Sequence, residues 1–211
     1  MTAHAEQRHR HPHPRQPDLE DQPFDHYQLM AEAIGELLIA KGVFGADDLR
    51  RTIEAIDARS PADGARLVAR AWLDPAFKSR VLEDVNAAAA MLGIDAGAIP
   101  IRALENTPRL HNVVVCTLCS CYPRGLLGLP PDWYKARAYR SRTIREPRAV
   151  LVEFGTSIAD DVEIRVHDST ADLRYLVLPM RPPGTEDMGE TELAALVTRD
   201  CLIGTAVPRP V

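Results

Sequence analysis

The chain has 211 residues, 45% hydrophobic and 26% charged, the proportions of an ordinary globular protein with room for one substantial domain plus an arm, or two small domains. Its net charge of -5 argues against nucleic acid as a partner. No apolar run of roughly 18 residues offers a membrane span, and no apolar core follows the polar N-terminus as in a secretory signal. A cytoplasmic protein with no membrane partner is expected.

Residues 1–23 carry His4, His9, His11, His13 and four prolines but almost nothing apolar. Such a segment buries too little surface to offset ordering, which predicts a disordered, solvated tail; a weak metal-gathering role for its imidazoles is the sharper alternative. Helices are expected next. Asp25 can N-cap one with Tyr27, Met30, Ile34, Leu37 and Leu38 on a face, closed by Gly42. Asp47 or Asp48 starts a second, with Leu49, Ile53 and Ile56 at helical spacing. Ser60 and Pro61 open a third as N-cap and first helical residue, running through Leu67, Val68 and Trp72 towards Asp74 and Pro75. The fourth reads as one continuous helix from about Ala76 to Leu92, with Phe77, Val81, Leu82, Val85 and Met91, closed by Gly93.

After Gly93 the period changes. Ile99, Ile101 and Ala103 alternate with Pro100 and Arg102, a strand entered over a proline. A second, Asn112 to Val115, leads directly into the cysteine cluster, and Pro123, Gly125 and Gly128 suit the sharp turning that follows. Asp132 is placed to cap a short turn over 133–136. Residues 138–154 read as a helix in two pieces, broken at Glu146-Pro147. Arg137, Arg140, Arg142, Arg145 and Arg148 make a positive surface there, either a solvated face or a partner contact. Val162, Ile164 and Val166 mark a strand and 173–178 another, joined by the polar, hairpin-length stretch 168–172. A loop over 181–189 and a short helix over 190–198 follow. Cys201, in an apolar setting, is expected as a buried structural thiol, and His167 in packing or at the surface.

The chemistry concentrates in Cys116-Thr117-Leu118-Cys119-Ser120-Cys121, which holds three of the four cysteines. Three thiols this close suit a soft metal. A disulfide would leave one thiol over, and nothing points to an oxidising compartment. A structural zinc site would need a fourth ligand, from His111 or the distant Cys201. A functional metal centre is the reading that remains beside these two.

That hexapeptide resembles the metal-binding claw of the nitrile hydratase alpha subunit family. The resemblance extends, in order, through Glu105-Asn106-Thr107-Pro108, His111 to Val115, Leu129 to Lys135, Tyr139 to Arg142, Arg174 to Pro179 and Leu196 to Asp200. It covers roughly residues 25–208, and the homologous gamma subunit of thiocyanate hydrolase carries the same claw. The resemblance implies an α+β fold, in which an N-terminal helical arm precedes an α/β globular domain of layered helices and sheets. The expected division is a tail over 1–23, the helical arm over 24–93 and a metal-binding domain over 94–211.

It also implies a ligand set: the sulfurs of Cys116, Cys119 and Cys121 with the deprotonated amides of Ser120 and Cys121. Cys119 would be a sulfinate and Cys121 a sulfenate. Cys121, Cys119 and Ser120 would be the catalytic residues. Thr117 resembles the cobalt type, which points to one cobalt(III) per chain and makes iron(III) the lesser expectation. The implied partners are a beta-type subunit, possibly as two separate small chains, and a small-molecule nitrile or thiocyanate. Substrate-pocket candidates are Thr117 and Arg124. Two departures stand out: Arg124-Gly125 replaces the family's Trp-Pro, exchanging an apolar wall for a cation and a flexible position, and Gly97 falls where a glutamine is expected. Nitrile hydration is the leading function; thiocyanate hydrolysis and a non-enzymatic metal carrier or redox sensor are the alternatives.

Overall fold

The computed structural model describes residues 25–210; the histidine-rich stretch read as a tail lies outside them. Five helices come first: α1 (His26–Ala40), α2 (Ala46–Asp57), α3 (Ala62–Leu73), α4 (Pro75–Glu83) and α5 (Val85–Met91). Asp25 caps α1 as expected, in a reciprocal box with Gln28, and Gly42 follows its end with positive φ. Asp48 does not start α2 but reaches back to accept from Gly45 N at 2.9 Å, so the helix opens at Ala46. Ser60 Oγ accepts from Ala62 N, and Pro61 already has helical dihedrals.

The single helix expected over 76–92 is two. Asp84 takes an extended backbone and its carboxylate accepts from Ala87 N at 3.0 Å, capping α5 instead of continuing α4. An aspartate that offers its side chain to nearby N–H groups competes with the helix it interrupts. The break lets Val85, Ala88 and Ala89 turn into the core. It also aims Asn86 at the segment that follows. Asn86 donates to Gly97 O and Ile99 O and accepts from Ile101 N, which shapes residues 97–101 before the first strand.

Strands β1 (Ile101–Glu105), β2 (Leu110–Val115), β3 (Glu163–Asp168) and β4 (Arg174–Leu178) form two parallel pairs, β1 with β4 and β2 with β3. The hairpin reading of 168–172 is therefore corrected: β3 and β4 are neighbours in sequence but belong to different pairs. Both faces of β2 and the inner half of β4 are buried, which fits strands covered by helices rather than a two-stranded ribbon. Between β2 and β3 lie α6 (Arg124–Leu127), α7 (Asp132–Lys135), α8 (Arg137–Arg145) and α9 (Pro147–Glu153), with the expected break at Glu146-Pro147. Asp132 pairs with Lys135 at 2.8 Å and does not cap α7. Helices α10 (Glu190–Ala195) and α11 (Arg199–Ile203) close the chain; α11, capped by Thr198, was not anticipated.

The chain divides into two compact units, one ending at Arg51 and one beginning at Thr52. Helices α3 to α5, assigned by sequence to an arm, supply Leu67, Val68, Val81 and Val85 to the same core as Leu176 and Leu202 in the second unit. Gly204 ends α11 against β2: a Cβ there would lie 2.0 Å from Asn112 O, so no other residue fits. Gly204 O in turn receives His111 Nε2–H at 2.7 Å. In α1, Tyr27, Leu29, Ile34 and Leu37 remain exposed. Among the described residues no helix is long and apolar enough to cross a membrane.

Candidate metal centre

Strand β2 ends at Val115, paired in register with Asp168 at the end of β3, and Ser169 N donates to Val115 O at 2.7 Å. The cysteine loop leaves the sheet at this point and is held at both ends. At its start the Asp168 carboxylate accepts from Thr117 N at 2.9 Å and from Thr117 Oγ1 at 2.5 Å, while Arg140 Nη1 donates to Thr117 O at 3.3 Å. At its end the buried Tyr134 hydroxyl donates to Cys121 O at 2.8 Å. Tyr134 is itself fixed edge-on against Tyr122, with centroids 5.0 Å apart.

Between these anchors the three sulfurs converge. Cys119 Sγ lies 3.6 Å from Cys116 Sγ and 3.3 Å from Cys121 Sγ, and all three fall within 4.8 Å of one another. Cys116 is 1% and Cys121 8% exposed, whereas Cys119 faces solvent. The trio shares protons unevenly. Hydrogen bonds from the Cys121 and Cys116 thiols, then from Ser120 N–H, hold the Cys119 thiol below its ordinary value. Burial, then donation to Cys119 and Cys116, pushes Cys121 up to about 12. Cys119 thus ionises more readily than Cys121, whose thiolate a nearby cation would favour.

The donor set fits a metal. All four cysteines are free thiols, so no disulfide competes. Among the described residues no fourth His, Cys, Asp or Glu joins the trio. The two candidates for a zinc-like fourth ligand are committed elsewhere: His111 to Gly204 O and Asn106, and Cys201, buried as expected, to Thr198 Oγ1 at 3.3 Å. Burial lowers the pKa of His111 and raises that of Cys201. His167 packs against Tyr175 and meets Asn112 Oδ1 at 2.9 Å, as a packing residue would. Among the described residues, no further side chain of these types stands with the three sulfurs.

A cavity of about 380 Å³ opens onto Cys119, Ser120 and Cys121, with Gly97, Arg124 and Arg174 in its wall. Both departures noted in the sequence meet there. Gly125, read as a flexible position, is instead a point of close packing: a Cβ would lie 2.2 Å from Ala96 O. Arg174 has a buried Nη1 with no hydrogen-bond partner among the described residues, and its charge favours the Cys121 thiolate. Thr117 does not line this cavity. It borders a separate one on the outer side of the loop with Leu118, Arg137 and Arg140.

Asp168, Tyr134, Arg140 and Arg174 had no assigned part in the site from sequence. Tyr134, Arg140 and Arg174 stand inside the stretches that carry the resemblance, which was the available signal. Asp168 had none, because its place beside the loop depends on a parallel pairing across more than 40 residues that include four helices.

A family model described as "Nitrile hydratase, alpha chain" matches residues 25–206. The chain is 50% identical over 179 residues to the low-molecular weight cobalt-containing nitrile hydratase subunit alpha of Rhodococcus rhodochrous, covering 84% of this chain and 86% of that one. It is 45% identical over 196 residues to thiocyanate hydrolase subunit gamma of Thiobacillus thioparus, covering 87% and 81%. Among solved structures, a recombinant thiocyanate hydrolase comprising partially modified cobalt centres superposes with a TM-score of 0.82 at 44% identity, covering 89% of this chain and 92% of that one.

Proposed function

The chain belongs to the nitrile hydratase alpha-chain family, and from that premise we propose that it is the metal-bearing subunit of an enzyme that hydrates a nitrile to its amide. The observation that carries the reading is the convergence of three thiols, two of them buried, at the mouth of a cavity. Cys116, Cys119 and Cys121 would hold the ion through sulfur and Ser120 and Cys121 through their amides, with Cys119 and Cys121 oxidised as the resemblance implies. Cobalt(III) is the ion we assign, since a relative 50% identical is a cobalt-containing subunit and the resemblance associates Thr117 with the cobalt type. Bound there, it would supply Lewis acidity towards the substrate.

The chain's own residues supply position and exclusion. Tyr134 and Asp168 hold the two ends of the loop, and the close contact of Gly125 with Ala96 seals one wall. Arg174 and Arg124 place positive charge where a substrate must enter. Among the described residues, none lining the cavity is a carboxylate or an imidazole, and we assign the proton acceptor to the oxidised loop or a second subunit. A beta-type subunit, in one or two chains, is the partner we assign. Leu118, 89% exposed beside Arg137 and Arg140, offers it a surface at the loop. Four free thiols suit the cytoplasm.

One observation favours a second reading. Arg124 and Arg174 face the cavity without an ion-pair partner among the described residues, a setting that would welcome anionic thiocyanate. The purified complex should be assayed against a nitrile panel and thiocyanate. Amide without sulfur-containing product supports hydration; carbonyl sulfide and ammonia support the alternative. Labile metal and no turnover of either would leave a metal carrier and overturn both.

A further inference from the structure

We infer that Asp168 is a positioning residue for the metal-binding loop, acting through Thr117 without touching metal or substrate. The inference rests on reading the loop as a metal site. Thr117 lies between the first two sulfur ligands, and every polar group it has is engaged. Its N–H and hydroxyl both donate to the Asp168 carboxylate, at 2.9 and 2.5 Å, and its carbonyl accepts from Arg140. Leu118, one residue on, has no hydrogen bond among the described residues and is the most exposed apolar residue of the loop. The side-chain anchoring of the loop is thus concentrated at Thr117, and the next polar contact is the Cys119 N–H donating to Cys116 Sγ at 3.4 Å.

The carboxylate itself is placed by the sheet. Asp168 sits opposite Val115 in the parallel register, and the Ser169 N to Val115 O bond of 2.7 Å closes the ladder behind it. A carboxylate has two acceptor oxygens and no donor, so it can hold an N–H and an O–H of one residue together. That clamp fixes the Cys116–Thr117 peptide, and with it the direction in which the buried Cys116 sulfur points. Order fixed before the ion arrives need not be imposed by the ion. Asp168 lines no part of the cavity that meets Cys119 and Cys121, so its side chain does not form that wall.

The test uses the chain co-expressed with its partner in cobalt-supplemented medium, reading cobalt per chain and the sulfur-to-metal charge-transfer absorption band. Asp168→Ala should hold about tenfold less cobalt than wild type, with a shifted band in the remainder, the size usual for loss of a group that orients a ligand. Asp168→Asn, which can still accept from Thr117 N and donate to its hydroxyl, should recover to within about twofold. Thr117→Val removes one of the two bonds and should fall between, and it serves if Asp168→Ala does not fold. Wild-type occupancy with an unshifted band in Asp168→Ala or Thr117→Val overturns the inference, as does Asp168→Asn behaving like Asp168→Ala. If wild type itself holds no cobalt, the metal-site reading fails and the inference with it.

Discussion

Replacing Tyr134 by Phe removes one oxygen and little else, which makes its effect calculable. The ring stays wedged against Tyr122 and Trp133, with centroids 5.0 and 5.9 Å away, so the packing term barely changes. What is lost is the 2.8 Å bond to Cys121 O in a fully buried position. A buried carbonyl left unsatisfied costs about 1–3 kcal/mol, and at roughly 2–4 °C per kcal/mol for a chain of this size that lowers Tm by about 2–12 °C. Tyr139 gives an internal control. It is also buried, and its hydroxyl donates to Val114 O at 2.7 Å, in β2 rather than in the loop. Tyr139→Phe should therefore cost about the same in stability. Only Tyr134→Phe frees the peptide that follows the last thiol, so only it should lower cobalt per chain and shift the charge-transfer band. Calorimetry and metal analysis on the two variants, side by side, decide the matter. Equal metal content in both, or no loss of Tm in Tyr134→Phe, would refute the claim that this hydroxyl anchors the loop.

Three further predictions follow from the same geometry. Gly125→Ala should cost more than the 1–3 kcal/mol of ordinary overpacking, read as lost soluble yield, because its Cβ would meet backbone rather than a side chain at 2.2 Å; Arg124→Ala, exposed next door, should express normally. Acid should destabilise the fold through His111, whose Nε2–H donates to Gly204 O and whose Nδ1 faces the Asn106 amide. Burial holds its pKa below the ordinary 6.5, so its contribution is complete above about pH 6.5 and is lost as pH falls below it. His167, lowered by burial and by Arg165, adds to the same window, and His111→Gln should flatten the Tm–pH curve there. Cys121→Ser should abolish turnover even in molecules that retain metal, since a hydroxyl cannot become a sulfenate; turnover at the wild-type rate would refute the role assigned to that sulfur.

Much of this architecture was legible in the residues. Asp25, Gly42 and Pro147 punctuate helices through local hydrogen bonds and fixed dihedrals, so their effects show in a window of a few residues. The cysteine spacing itself foretold a loop that folds back on one point. What escaped was non-local or double-valued. Asp84 could continue a helix or cap the next one, and burial of Val85 decided between them. The stretch 168–172 had hairpin composition, yet β3 found β2 and β4 found β1, since burying Val113 to Val115 and Leu176 to Leu178 under helices outweighs a short connection. Gly125 shows the same limit: the sequence offers freedom at a glycine, but only the approach of Ala96 reveals that space was the constraint.

The central claim is a trivalent cobalt held by the loop from Cys116 to Cys121. Elemental analysis of the active complex, grown with cobalt and dialysed against chelator, tests it most directly. The account predicts one tightly held cobalt per chain, lost in Cys116→Ala. Zinc in its place, or an active complex without bound transition metal, would contradict it.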